Sequence, residues 1–178
     1  MKWNDITSEN WLYSMSHLHP FSMTATVAGK PLQLHITFGF HVFTDDKGSG
    51  CVLNNLGEMR YFCVQRYNSS FQAVDFVRTR MVDGHTRVFY AKGGNQQFFT
   101  MDIHDFALFM SIQKPQGTTD ELKCRVISAY PVDQWGRWGL PSRAPLFRMS
   151  YVLDMRNQGV PIAPKSGKKP NTPKAKRP

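Results

Sequence analysis

The run Leu32-Gln33-Leu34-His35-Ile36-Thr37-Phe38-Gly39-Phe40-His41-Val42-Phe43-Thr44 decides how the chain is read. Leu32, Leu34, Ile36, Phe38, Phe40 and Val42 alternate with Gln33, His35, Thr37, Gly39 and His41, the period of a strand that buries one face and wets the other. Both histidines then leave on the face opposite the core, unless a bulge at Gly39 turns His41.

Working backwards, Phe21 to Ala28 alternates again, and Gly29-Lys30 turns it into the central strand as an antiparallel hairpin. Before it, Trp3, Ile6, Trp11, Leu12 and Met15 around Thr7-Ser8-Glu9 predict a short helix. His17-Leu18-His19-Pro20 carries two histidines at ligand-like spacing, but with no third ligand signalled it reads as a loop entering the sheet.

Working forwards, residues 45–58 read as a loop. Asp45 and Asp46 near Gly48 and Gly50 lack the spacing and closing glutamate of a calcium loop. Asn68-Ser69-Ser70 predicts a helix start, Phe71, Val74, Val77 and Met81 fall near helical spacing, and Asp83-Gly84 stops the helix. Strands are expected at residues 87–91, 96–103, 106–113 and 124–132, with Lys92-Gly93-Gly94-Asn95 as a turn. Residues 147–153 read as a last strand or helical turn. The order is hairpin, helix, then a meander of about four strands: an α+β domain on an antiparallel β-sheet, with the one main helix packed across one face.

A chain of 178 residues is one domain by length and long enough for a core without staples. We expect that domain to span 1–160, with a core at 17–131 and a Trp/Gly/Pro-rich flap at 133–155, followed by a basic tail at 161–178. The formal charge is +9, yet six of the 22 cations lie in residues 165–178, leaving 16 against 13 acidic residues and a body of only +3. A Pro/Lys tail of that kind cannot bury enough apolar surface to fold and is expected to be disordered. It serves either as a salt-dependent phosphate binder or as a solvating end. Trp135, Trp138 and Leu140 in the flap either cap the core or form an exposed protein-interaction patch.

Cys51, Cys63 and Cys124 are odd in number and none are spaced as CxxC, which argues against a disulfide scaffold or a zinc ribbon. The polar N-terminus lacks an apolar leader, and no window has the length to span a bilayer, so a cytoplasmic protein without membrane contact is expected. No phosphate-binding glycine motif, HExxH or GxSxG occurs.

The chemistry left open is metal-independent, cofactor-free cleavage of RNA. It needs a base for the ribose 2′-hydroxyl, an acid for the leaving oxygen and cations for the charged intermediate. His41 suits proton transfer near neutral pH. Arg66, Lys92, Ser128 and Tyr130 supply the other roles if the sheet gathers them. The segment Arg60-Tyr61-Phe62-Cys63-Val64-Gln65-Arg66-Tyr67 adds cations and rings, of which Arg60 and Tyr67 suit phosphate and base. Aromatic core contacts flanked by surface arginines remain the alternative for that segment. Lys92 and the tail residues Lys168, Lys169, Lys174, Lys176 and Arg177 complete the expected nucleic-acid-binding set.

Two resemblances bear on this. His19-Pro20-Phe21, Phe40-His41-Val42-Phe43-Thr44, Phe62-Cys63-Val64-Gln65-Arg66-Tyr67, Val88-Phe89-Tyr90 and Val126-Ile127-Ser128-Ala129-Tyr130 together resemble bacterial stationary-phase growth adaptation proteins over about residues 17–131, with Val64 where that pattern has proline. A helix followed by a meander ending in Arg125-Val126-Ile127-Ser128-Ala129-Tyr130-Pro131 is similar to phage and polymorphic-toxin members of the barnase, EndoU, colicin and RelE-like nuclease superfamily. The second resemblance implies His41, Arg66, Ser128 and Tyr130 as catalytic residues. A toxin or growth-control role goes with the ribonuclease reading, with RNA as the partner and a protein inhibitor or partner left open. A noncatalytic nucleic-acid-binding or protein-interaction module of a phage or mobile element is the competing reading. Oligomeric state is open.

Overall fold

The computed structural model describes residues 2–48, 50–90, 97–103, 106–132 and 144–162. Among these the chain forms twelve strands and two α-helices, not one helix and a meander. The expected helix near residue 7 is instead a hairpin of β1 (Ile6–Ser8) and β2 (Trp11–Tyr13). Glu9 and Asn10 turn it in the left-handed region (φ 50° and 66°). Isolated apolar residues across so short a segment do not distinguish the two periods.

β3 (Phe21–Val27) and β4 (Lys30–Phe38) form the expected antiparallel pair, with Ala28 and Gly29 at positive φ making the turn. β4 buries Leu32, Leu34, Ile36 and Phe38 and leaves Gln33, His35 and Thr37 half-buried on its other face. The strand stops at Phe38 although the alternation continues. Phe40 to Val42 form a 3-10 turn that buries Phe40 and Val42 by a different geometry. Thr44 Oγ1 donates to Phe40 O (2.7 Å), closing the turn.

The chain then builds a small antiparallel sheet ordered β5-β7-β6 from β5 (Thr44–Asp45), β6 (Val52–Asn55) and β7 (Glu58–Phe62). Residues expected to be loop are therefore a hairpin, turned by Leu56 and Gly57 at φ 53° and 86°. Helix α1 (Val64–Thr79) starts before the expected Asn68-Ser69-Ser70 cap. Ser69 and Ser70 lie inside the helix and donate back to Gln65 O and Tyr67 O (2.9 and 2.6 Å). That back-bonding is the other use open to a serine in a helix.

β8 (His85–Tyr90), β9 (Gln97–Ile103), β10 (Phe106–Gln113) and β11 (Glu121–Pro131) form an antiparallel meander. β12 (Leu146–Arg148) adds to the edge beside β8, and helix α2 (Met149–Asn157) follows it directly. The main sheet has seven strands in the order β12-β8-β9-β10-β11-β4-β3. The expected antiparallel sheet is corrected at one joint, because β11 pairs with β4 in parallel, Leu122 opposite Leu34 and Val126 opposite Phe38. Alternation fixes which face of a strand is buried but not which neighbour it finds. The long crossover through the small sheet and α1 makes a parallel joint possible.

One core joins the elements. Leu34, Ile36, Leu108, Met110, Leu122 and Val126 from the sheet meet Ala73, Val74 and Val77 of α1 and Met149, Val152 and Leu153 of α2. Burying each large side chain stabilises the fold by ~1.5–3 kcal/mol. All three cysteines are free thiols, Cys63 and Cys124 buried. No described helix is long and apolar enough to cross a membrane. Residues 133–143 of the expected flap, with Trp135, Trp138 and Leu140, the turn with Lys92, and the tail residues Lys168, Lys169, Lys174, Lys176 and Arg177 lie outside the described residues, whereas the rest of the flap holds β12 and most of α2.

Candidate active site

The site begins with a bulge. Phe109 faces Ser128 and Met110 faces Val126, so Ile127 is the extra residue in β11. Before it Leu122, Cys124 and Val126 point into the core; after it Ala129 does, and Ser128 and Tyr130 turn to the other face. A bulge shifts side-chain parity by one residue in this way. Sequence alternation alone hides it, because Arg125-Val126-Ile127-Ser128 reads as an unbroken strand.

The bulge sits where β4 ends. Gly39 N donates to Val126 O at 2.7 Å. A Cβ on Gly39 would lie 3.0 Å from Ile127 O and 3.2 Å from Val126 O, so only glycine fits this approach without displacement. The chain leaves that contact into the 3-10 turn carrying His41. The possibility of a feature near Gly39 redirecting His41 is thus met by a strand end rather than a bulge in β4 itself.

Arg66, in the first turn of α1, ties the parts together. Its Nη1 donates to His41 O at 2.8 Å and to Ser128 Oγ at 3.5 Å, and its guanidinium lies 5.1 Å from the centre of the Tyr130 ring. The four sequence-selected catalytic residues therefore share one contact network, although Arg66 grips the backbone of His41 and not its ring. Burial pushes the Tyr130 phenol above its ordinary pKa, partly opposed by Arg66. It remains a protonated hydroxyl through neutral pH.

The His41 ring turns toward β7, where Nε2 lies 2.6 Å from Glu58 Oε1. Both side chains are partly exposed, at 36% and 47%. Arg60 reaches the same carboxylate at 3.5 Å and donates through Nε to Thr44 Oγ1 at 3.0 Å. It is an ion-pair partner of the site rather than a solitary phosphate ligand. A cavity of about 310 Å³ opens here, lined by His41, Glu58, Asn55, Phe98, Ser111 and Arg125 among others. Glu58, Asn55, Arg125, Ser111 and Phe98 escaped the sequence reading. Glu58 and Asn55 lie in a stretch that reads as loop, where only the Asn54-Asn55-Leu56-Gly57-Glu58 turn signature points to the hairpin that presents them.

Other candidates separate from this place. Tyr67 is locked in a ring cluster with Tyr13, Phe62, His17 and Phe71, and its hydroxyl donates to Ser14 O at 3.0 Å. That is the packing alternative for the aromatic segment. His17 Nε2 lies 2.6 Å from Ser70 Oγ and His19 Nε2 lies 3.1 Å from Trp3 O, so the pair engages different partners. Burial lowers the His17 pKa. His35 contacts Ser22 Oγ (2.9 Å) and Glu121 (3.4 Å) on the sheet surface. Among the described residues no group of three His, Cys, Asp or Glu side chains is placed to hold a metal ion.

Fold and site together define an α+β domain with a mixed sheet, in which a His–Glu pair and Arg125 border a small cavity of mixed polar and apolar lining. The YjaZ family model matches residues 5–150. The chain belongs to the YjaZ family. That assignment corrects both resemblances drawn from short motifs: neither the stationary-phase growth adaptation proteins nor the barnase–EndoU–colicin–RelE-like superfamily is supported, and the mixed parallel joint departs from the meander on which the second rested. No curated protein and no solved structure matches the chain.

Proposed function

We propose that this protein is a metal-independent ribonuclease-like protein that cleaves RNA by acid–base chemistry at the His41 turn. The observation that carries the reading is the 2.6 Å contact of His41 with Glu58 at the edge of a cavity that Arg125 also lines. A carboxylate on one imidazole nitrogen orients the ring and supports the cation formed when the other nitrogen takes a proton.

In the proposed step His41 takes the proton of the ribose 2′-hydroxyl. That oxygen forms a bond to phosphorus, the bond to the 5′-oxygen breaks, and the Tyr130 hydroxyl returns a proton to the departing oxygen. Arg125 stabilises the extra charge on the phosphoryl oxygens. Arg66 holds the His41 turn against Ser128 and Tyr130 and is a positioning residue.

The test is to incubate purified protein with matched RNA and DNA oligonucleotides in excess chelator. Cleavage of the RNA alone, leaving a 2′,3′-cyclic phosphate end, is expected. Intact RNA, or equal cleavage of the DNA, would refute the reading.

A further inference from the structure

The face of the main sheet opposite the core carries a row of rings, of which the catalytic proposal uses only Tyr130. Phe89 and Phe98 face each other across β8 and β9 and stack at 5.9 Å and 29°. Phe109 stands edge-on to Phe89 at 6.4 Å. Tyr130 stacks on Phe109 at 5.8 Å and 20°, and the Arg66 guanidinium lies over Tyr130. All four rings are half-buried, whereas the phenylalanines of the core are closed off from solvent. The row crosses four strands, β8 to β11, and ends at Phe98, which lines the cavity beside His41.

The surroundings are cationic and polar. Arg125 borders the cavity, and Lys123, two residues before it on β11, is exposed on the same face. Asn55 and Ser111 offer hydrogen-bonding groups inside the cavity. A ring with an accessible face, amide and hydroxyl groups at its side, and a guanidinium beyond it match a nucleobase attached to a phosphodiester. A cavity of about 310 Å³ has room for one base with its sugar and not for a base pair.

Resting on the proposed function above, we infer that Phe98, with Asn55 and Ser111, forms a nucleobase subsite beside the His41–Glu58 pair, and that Phe89 and Phe109 continue it as a stacking surface for single-stranded RNA. The subsite places one unpaired base so that its own 3′-phosphodiester meets His41 and Arg125. Recognition is by stacking, so it tolerates base identity and rejects duplex.

The experiment measures fluorescence anisotropy of labelled RNA octamers on the full chain carrying His41→Ala, so that turnover does not consume the ligand. Three probes are compared: a single strand, the same strand with abasic ribose at every position, and the corresponding duplex. The single strand is expected to bind about tenfold or more tightly than either other probe, in line with the stacking contribution of a base on an aromatic ring. Phe98→Leu, which keeps an apolar side chain there, is expected to narrow the difference between normal and abasic strands several-fold. Equal affinity for normal and abasic strands, or a Phe98→Leu chain that tells them apart as well as its parent does, would overturn the inference. The probe comparison in the His41→Ala chain decides the matter even if Phe98→Leu does not fold. Base-dependent binding without RNA cleavage by the unmodified chain would sink the catalytic reading and leave the subsite standing. Cleavage of RNA with no dependence on bases would do the reverse.

Discussion

Gly39→Ala tests whether the close approach of β4 to the β11 bulge sets the position of His41. The added methyl would meet Ile127 O at 3.0 Å, Val126 O at 3.2 Å and Ile127 Cα at 3.3 Å. All are backbone atoms of a strand held on both sides by β10 and β4, so no flexible side chain can swing away. The φ of Gly39 is −85°, which alanine adopts freely, so the cost is steric and not conformational. Forcing the backbones apart by a few tenths of an ångström weakens the 2.7 Å hydrogen bond from Gly39 N to Val126 O. A weakened bond of this kind costs ~0.5–1.5 kcal/mol, and inserting a methyl into close packing costs ~1–3 kcal/mol. About 3 kcal/mol in total corresponds to a fall in Tm of roughly 6–12 °C for a chain of this size. Because the strand end carries the turn, a displacement of that order at His41 should lower activity beyond the loss of folded protein, by less than the ~100-fold that a misplacement of about 1 Å costs. Thermal unfolding followed by circular dichroism, with cleavage assayed well below the transition, separates the two effects. A variant with unchanged Tm and unchanged rate would show that the bulge contact neither strains the fold nor places the site.

Other perturbations give independent readings. Arg66→Met removes the bond to His41 O and the contact with Tyr130; a loss of about 2 kcal/mol in urea unfolding is expected, since a charged hydrogen bond contributes ~1.5–3 kcal/mol, and no change would remove Arg66 from the network. His35→Ala breaks only partly exposed contacts on the sheet surface, so its stability should stay within ~0.5–1 kcal/mol of the parent, and a larger loss would contradict the surface assignment. Burial raises the Cys124 thiol from 9.0 to about 12, so the folded chain holds that proton more tightly than the unfolded one. The resulting stability is complete below pH 9 and is lost as pH climbs toward 12; a flat alkaline profile in a Cys124→Ala comparison would count against it. His17 has the opposite sign at the acid end: its pKa is lowered by burial, so stability should decline as pH falls below 6.5, and His17→Gln should remove that decline.

Much of the frame was legible because burial follows strand period. The β3–β4 hairpin, the inner face of β4 and the strands from β8 to β11 all follow from alternating apolar residues. The parallel pairing of β11 with β4 was not legible, since period reports which face is buried and says nothing of partners. The 3-10 turn at Phe40–Val42 was hidden because its buried residues happen to continue the strand alternation. The helix start at Val64 was misplaced because Cys63 makes no side-chain cap, while the cap-like Asn68-Ser69-Ser70 lies inside the helix. Residue type and a motif resemblance single out Arg66, Ser128 and Tyr130 with His41, and the structure places these four in contact through Arg66. Glu58 was not, because it enters through a two-residue turn 17 positions from the histidine it contacts. Arg125 and Phe98 join the cavity only through strand order, which no local window contains.

The central claim is that His41, held by Glu58, moves the proton that starts RNA cleavage. A single-turnover assay with excess protein, labelled single-stranded RNA and chelator measures it directly, comparing the parent with His41→Ala and Glu58→Gln. The account expects the alanine variant to lose about 100-fold or more in rate and the glutamine variant to lose less, with both still folded. Cleavage by His41→Ala at the parental rate would contradict it.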